Sequence, residues 1–174
     1  GNLKKDLNDF DEAINLHETA LKFSKDIPEI YFSLASAYQS IGNFQKAEYF
    51  SKKTLLINKK ITKADLLISR SRKYTKEDDD HLKSMNEKIN NENLNTMQKI
   101  DLLFALAKAN EDLGKISSCF KFLKEGNELK RSIVKFDINY EKKNFLNIKN
   151  IFSTNNFNQL KKKIDESKNI IFIL

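Results

Sequence analysis

The chain has 174 residues, of which 31 are Lys or Arg and 24 are Asp or Glu, giving a net charge of +7 with only four Gly and one Pro. That length fits one domain or one elongated array, and so few turn-forming residues exclude a sandwich or barrel of many short strands, leaving an all-α chain as the expectation. The cations are mostly Lys dispersed among Asp and Glu, and the densest run, 161–163, lies in an ordinary helical pattern; no nucleic-acid partner is expected, because such surfaces cluster their charge and interleave aromatic residues.

In chain order, positions 1–7 are expected to be the remainder of a first helix, since Gly1 stands as far before Ala35 as Phe10 stands before Phe44, and a first residue of Gly rather than Met points to a start inside a longer protein. A helix over 9–24 follows. Its stretch NDFDEAINLHETALKF from Asn8 pairs position by position, at one constant offset, with GNFQKAEYFSKKTLLI from Gly42: Phe10 with Phe44, Ala13 with Ala47, Leu16 with Phe50, Ala20 with Thr54. A fixed period of about 34 residues is the sequence sign of a solenoid. His17 lies on the inner stripe of its helix and reads as a packed side chain rather than a catalytic base.

Over 29–41, Tyr31, Leu34, Ala35 and Tyr38 recur at helical spacing, with Pro28 near the start, where a missing N–H does least harm. Gly42 and Asn43 turn the chain. A helix over 44–58 then carries Phe44, Ala47, Phe50, Ser51 and Thr54 as its inner stripe, which makes a helical hairpin with one face buried within the pair and another against the neighbouring pair. The aromatic-x-x-Leu-Ala-x-x-Tyr stripe, the Gly-Asn-Phe turn and the small Ala47 resemble the tetratricopeptide repeat, with Thr54 where a small Ala is usual. The resemblance implies an all-α, tetratricopeptide-type helical hairpin solenoid whose first helices line a concave interaction face. Phe32, Ser36 and Gln39 are the candidate residues there.

The next pair is degenerate. Thr62 with Asp65, and Thr75 with Asp78, have the spacing of N-cap residues with an acid three positions on, which predicts helices over 63–72 and 76–90. The run EDDDH from Glu77 to His81 could suggest metal ligation. Acidic residues in the first turn of a helix are also favoured by its dipole, and that explanation is preferred, so no metal site is assigned. A last pair spans 96–113 and 116–134: Leu103, Leu106, Ala107 and Asn110 lead to Gly114, with Ile116, Cys119, Phe120, Phe122 and Leu123 beyond it. Gly114 lies a little more than two periods beyond Gly42, and the extra length is placed in the Asn-rich stretch 90–95. Phe104, Lys108 and Glu111 take the inward positions; with Phe32, Ser36 and Gln39 they do not build a carboxylate clamp. Cys119 falls in the slot of Ala13 and Ala47 and reads as a small core residue, and as the lone cysteine it excludes a disulfide framework.

Connector helices are expected over 140–152 and 156–166, and then an apolar strand, Ile170, Ile171, Phe172, Ile173 and Leu174. No apolar run approaches the roughly 18 residues of a membrane span and nothing at the start resembles a signal peptide; no membrane partner is expected and a cytoplasmic address is the default.

From Lys73 onward the segments RKYTKEDDDHLKSM, IDLLFALAKANEDLGK and FKFLKEGNELKR resemble the bacterial sulfotransferase family in which tetratricopeptide repeats precede the catalytic domain; the matching residues are Lys73 to Thr75, Phe104 to Gly114 and Glu125 to Arg131. The resemblance implies that the terminal apolar run is the first strand of the sulfotransferase sheet. It also implies that the loop that wraps the cofactor, phosphoadenosine phosphosulfate, would come next, outside this sequence. The expected division is then a repeat array over 1–134, a helical connector over 135–168 and the first strand of a sulfotransferase domain over 169–174. Such a chain would itself hold no catalytic residues, cofactor site or metal. It would act as a protein-interaction scaffold that meets a protein or peptide and its own C-terminal sulfotransferase domain, or that assembles with copies of itself. A free-standing helical-repeat adaptor is the alternative.

Overall fold

The computed structural model describes residues 9–91, 93–134 and 137–152. Among them are eight helices and no strand: α1 (Phe10–Phe23), α2 (Pro28–Ser40), α3 (Phe44–Ile57), α4 (Thr62–Ser71), α5 (Asp80–Asn91), α6 (Thr96–Asp112), α7 (Ile116–Ile133) and α8 (Ile138–Ile151). This is the expected all-α hairpin solenoid. The helix expected over 1–7, the connector helix over 156–166 and the strand over 170–174 lie outside the described residues. Helices α1 to α7 belong to one compact unit and α8 to another.

The α2–α3 and α6–α7 hairpins turn in the same way. Gly42 and Gly114 both take left-handed backbone geometry, φ 77° and φ 71°, which only glycine adopts without strain. Asn43 N–H donates to the Tyr38 carbonyl (2.9 Å) and Gly42 N–H to that of Gln39 (3.0 Å); at the equivalent turn, Lys115 N–H donates to Asn110 (2.8 Å) and Gly114 N–H to Glu111 (3.0 Å). The last carbonyls of α2 and α6 are thereby satisfied as the chain reverses. Asn43 then caps α3, its side chain accepting from Lys46 N–H at 3.2 Å.

Small residues set the separation of the helices. Ala13, Ala47 and Cys119, equivalent by sequence, are all buried, as are Ala35 and Ala37 on α2. Phe50 stacks on Tyr38 with ring centroids 5.5 Å apart. Ala37 lies outside the Tyr31–Tyr38 stripe because a first helix in a solenoid packs on two sides, against its own partner and against the next pair; α2 accordingly meets α1, α3 and α4. Some expected stripe residues are not inside. Phe44, Ile116 and Phe120 are at least half exposed; Phe44 and Ile116 open the first turns of α3 and α7, immediately after the reversals, where the preceding helix has already ended.

Two cores result. One gathers Ile14, Leu34, Ala35, Tyr38, Ala47 and Leu67; the other gathers Tyr74, Leu82, Met85, Leu94, Leu102 and Leu106, with Leu66 packed against it. Helix α4 therefore supplies neighbouring leucines to different cores, and it packs against α2, α3 and α6.

The expected caps of the degenerate pair are corrected. Thr62 is inside α4, not before it, and its hydroxyl donates to Asp101 Oδ2 on α6 at 2.9 Å instead of closing the helix start. Nor does Thr75 cap α5: the helix begins at Asp80, and the side chain of Asp79 accepts from His81 N–H (3.0 Å) and Leu82 N–H (3.2 Å). Only Asp80 of the acidic run is in the first turn. The later start has a tertiary cause. Tyr74 is drawn fully into the core, and Arg72 pairs with Asp79, so the chain between them is a loop. Helix α6 starts as expected, with a reciprocal Asn95–Gln98 capping box at 2.9 Å each way.

A buried polar network joins α4 to α5. Both oxygens of Asp65 accept from Lys88 Nζ at 2.8 Å, and Asp65 Oδ1 lies 3.1 Å from His81 Nε2. His81 Nδ1 is 2.6 Å from the Tyr74 hydroxyl, itself 3.1 Å from Ser69 Oγ. Burial pushes the Tyr74 phenol far above its ordinary pKa, so it stays protonated and able to donate.

In the other unit, α8 is capped by Asp137, which accepts from Asn139 N–H at 2.8 Å, and buries none of its side chains.

Two substitutions test this packing. Ala47→Phe should overpack the α2–α3 contact and cost about 1 to 3 kcal/mol in urea unfolding; a change of a few tenths would show that Ala47 is not at the crossing. Lys88→Met should cost about 3 to 5 kcal/mol by stranding the Asp65 carboxylate, and adding Asp65→Asn should recover part of the loss. Equal urea midpoints for Lys88→Met and the parent would refute the pairing.

Candidate peptide-binding groove

Helices α2, α4 and α6, the first members of successive pairs, lie side by side. One cavity, of about 190 Å³, is lined by Phe32, Ser36 and Gln39 of α2 and by Lys63, Leu66, Leu67 and Arg70 of α4. A second, of about 310 Å³, is lined by Leu66 and Arg70 again, by Phe104, Ala107, Lys108 and Glu111 of α6, and by Cys119 and Leu123 of α7. Leu66 and Arg70 are common to both, so the two cavities are neighbouring parts of one groove.

All six residues assigned to the concave face from sequence line this groove. The structure adds what lies between them: Lys63, Leu66, Leu67 and Arg70. A signal for two of these was present, since Leu66 and Arg70 stand one repeat period after Phe32 and Ser36. It is weak because the pair they belong to lacks the rest of the repeat pattern. Cys119 is buried as expected, and its place between α6 and α7 also makes it part of the cavity wall.

The two ends of the groove differ in chemistry. Leu66, Phe104, Ala107, Cys119 and Leu123 give the larger cavity an apolar floor. Phe104 is set by close packing behind it, where Gly126 of α7 leaves little room for a side chain: an added Cβ would come within 3.2 Å of the Phe104 ring, which would have to shift. The smaller cavity presents Ser36, Gln39 and Lys63. Lys108 is held by Asp112 one turn on, and the other oxygen of Asp112 accepts from Tyr74 N–H at 3.1 Å. Arg70 and Lys63 form no ion pair or hydrogen bond among the described residues; both act through space on Asp101, whose carboxyl is raised above its ordinary pKa by burial, against the opposing pull of its Thr62 hydrogen bond and of these cations. Burial, with the nearby charge of Glu111, also pushes the Cys119 thiol up, which disfavours the thiolate a nucleophile needs.

The repeats are also recognised directly. A model described as TPR repeat matches residues 1–42, and one described as Tetratricopeptide repeat matches residues 28–60. The chain contains tetratricopeptide repeats. No curated protein matches it. The second match spans the α2–α3 pair of this tetratricopeptide array, and the α6–α7 pair beyond the matched residues repeats its Gly turn bond for bond. Among the described residues no group of His, Cys, Asp and Glu could hold a metal ion, and no helix is long and apolar enough to cross a membrane. His81 is engaged with Tyr74 and Asp65, and His17 is half-buried on α1.

The Gly126–Phe104 contact gives a local test. Gly126→Ala gains about 1 kcal/mol of helix propensity, but the methyl should push the Phe104 ring into the larger cavity, leaving a net stability change smaller than that gain. Displaced Phe104 aromatic resonances would report the shift. The full gain with unmoved resonances would show that the contact is slack.

Proposed function

We propose that this array is a protein-interaction scaffold that holds an extended peptide in the groove along α2, α4 and α6. The observation that carries the reading is the groove itself, with an apolar cavity on one side of Arg70 and a polar one on the other, the combination that fixes both the affinity and the orientation of a bound segment.

We further propose that the scaffold is the N-terminal repeat region of a sulfotransferase, where it would present a protein acceptor to a catalytic domain that moves a sulfuryl group from phosphoadenosine phosphosulfate to a hydroxyl, such as that of a tyrosine. The three segments that resemble that family support this reading. They are packed together in the folded chain: Tyr74 of the first donates its backbone N–H to Asp112 of the second, and Gly126 of the third abuts Phe104 of the second. In this reading the cofactor is bound by residues outside this chain, and copies of the array could also assemble with one another.

A free-standing adaptor is the competing reading, favoured by a groove that, among the described residues, is lined by α2, α4, α6 and α7 alone. Calorimetric titration with phosphoadenosine phosphosulfate at physiological salt, on this chain and on the longest product of its gene, separates the two. Stoichiometric binding by a longer product alone is expected. Binding by neither would reject the sulfotransferase reading in favour of the adaptor, and tight binding by this chain would show that the cofactor site had been assigned to the wrong residues.

A further inference from the structure

We infer that the peptide taken by the groove is acidic and anchored: a large apolar side chain fills the cavity between α4, α6 and α7, and an Asp or Glu beside it pairs with Arg70. This rests on the peptide-binding reading above and commits that reading to a ligand chemistry.

The argument begins with charge. Arg70 stands on the wall between the two cavities with Lys63 two turns before it on α4, and neither has an ion-pair partner among the described residues. Asp101, on which both act through space, is buried, already accepts from Thr62, and has its ionised form disfavoured by burial. It forms no ion pair with either cation among the described residues. A ligand laid over Arg70 removes water from the guanidinium, which is costly unless a carboxylate replaces that water; a planar five-donor group suits a carboxylate in two-point contact. A neutral segment can offer only uncharged oxygens in its place, and a basic one adds repulsion.

The apolar cavity sets the rest. At about 310 Å³ it lies at the small end of ligand sites, with room for one large side chain or two small ones. Its far wall carries Glu111, which repels a carboxylate placed there, whereas Lys108 is committed to Asp112. The acid is therefore directed to the α4 side and the apolar residue to the α6–α7 side, which gives the bound peptide a direction. A nucleic acid would also supply negative charge, but among the described residues the groove offers two cations without an ion pair and one apolar cavity rather than a row of phosphate contacts flanked by stacking rings.

A random octapeptide phage-display library is the probe, panned against the whole chain and against Arg70→Gln. Arg70 is solvent-exposed, so the variant should retain the parent's circular-dichroism spectrum and urea midpoint. Peptides selected by the parent should carry Phe, Tyr, Leu or Met within two positions of an Asp or Glu, and Arg70→Gln should bind them at least tenfold more weakly, with Arg70→Lys in between. Selected peptides with no acidic preference, or equal binding by Arg70→Gln, would overturn this inference while leaving a peptide groove in place. Selection of nothing above background would overturn the groove reading itself. Equal competition by a single-stranded RNA octamer would show a general anion surface and reject the anchored peptide.

Discussion

The Asp65 carboxylate is the constraint on which the arrangement of the array depends. It is fully buried on α4, where an unpaired charge would be prohibitive, and it is tolerable only because Lys88 covers both oxygens and His81 approaches one of them. Both partners come from α5. Their bonds tie α5 to α4, a helix that otherwise packs against α2, α3 and α6, with Leu67 in one core, Leu66 at the edge of the other and Arg70 in the groove. A pair of leucines in place of Asp65 and Lys88 could bury comparable area but would accept several rotations of α4. The ionic pair is satisfied only where Lys88 and His81 reach Asp65, a geometric demand that apolar side chains do not make.

This also explains why the degenerate pair was the least legible part of the sequence. The other pairs announce themselves through a stripe, a small residue and a glycine turn, features that depend on local geometry and recur with the period. The α4–α5 pair is held by side chains that meet only in the folded chain. Thr62 and Thr75 have the local spacing of caps, but Thr62 bonds to Asp101, distant in sequence, and the loop containing Thr75 is governed by the burial of Tyr74 and the pairing of Arg72 with Asp79. Local capping preference is worth about 1 kcal/mol, less than burying an aromatic ring, so the tertiary contact prevails. The acidic run at Glu77 to Asp80 is likewise only partly a helix-dipole feature, since Asp79 serves as both cap and ion-pair partner.

The groove was legible to the extent that the period was. Phe32, Ser36 and Gln39 map onto Phe104, Lys108 and Glu111 across two periods and the short insertion between them, and the structure places both sets along one surface. What was missing was the charge between them. Taken without α4, the two sets offer one committed lysine and one glutamate, which argues against an anionic ligand; with Lys63 and Arg70 between them the balance reverses. A degenerate repeat in the middle of a solenoid still contributes its first helix to the shared face, so its inward residues weigh as much as those of the well-formed pairs.

Helix α6 unites the scaffold and the proposed site. Its buried face, Leu102, Leu103, Ala105 and Leu106, packs almost all round, and its last turn holds Asp112, which restrains Lys108 on one side and the Tyr74 backbone on the other. Its remaining face carries Phe104 and Glu111 into the groove. The segment from Phe104 to Gly114 thus mixes two roles at helical spacing. Ala105, Leu106, Asp112 and Gly114 maintain the hairpin and its attachment to α4 and α5, and would be required of any ligand-independent scaffold of this shape. Phe104 and Glu111 face the space where a ligand would lie, and Lys108 belongs to both groups through its bond to Asp112. Shared scaffold residues alone therefore establish a common way of stacking helices; a common ligand requires agreement at Phe104 and Glu111, together with Leu66 and Arg70 across the groove.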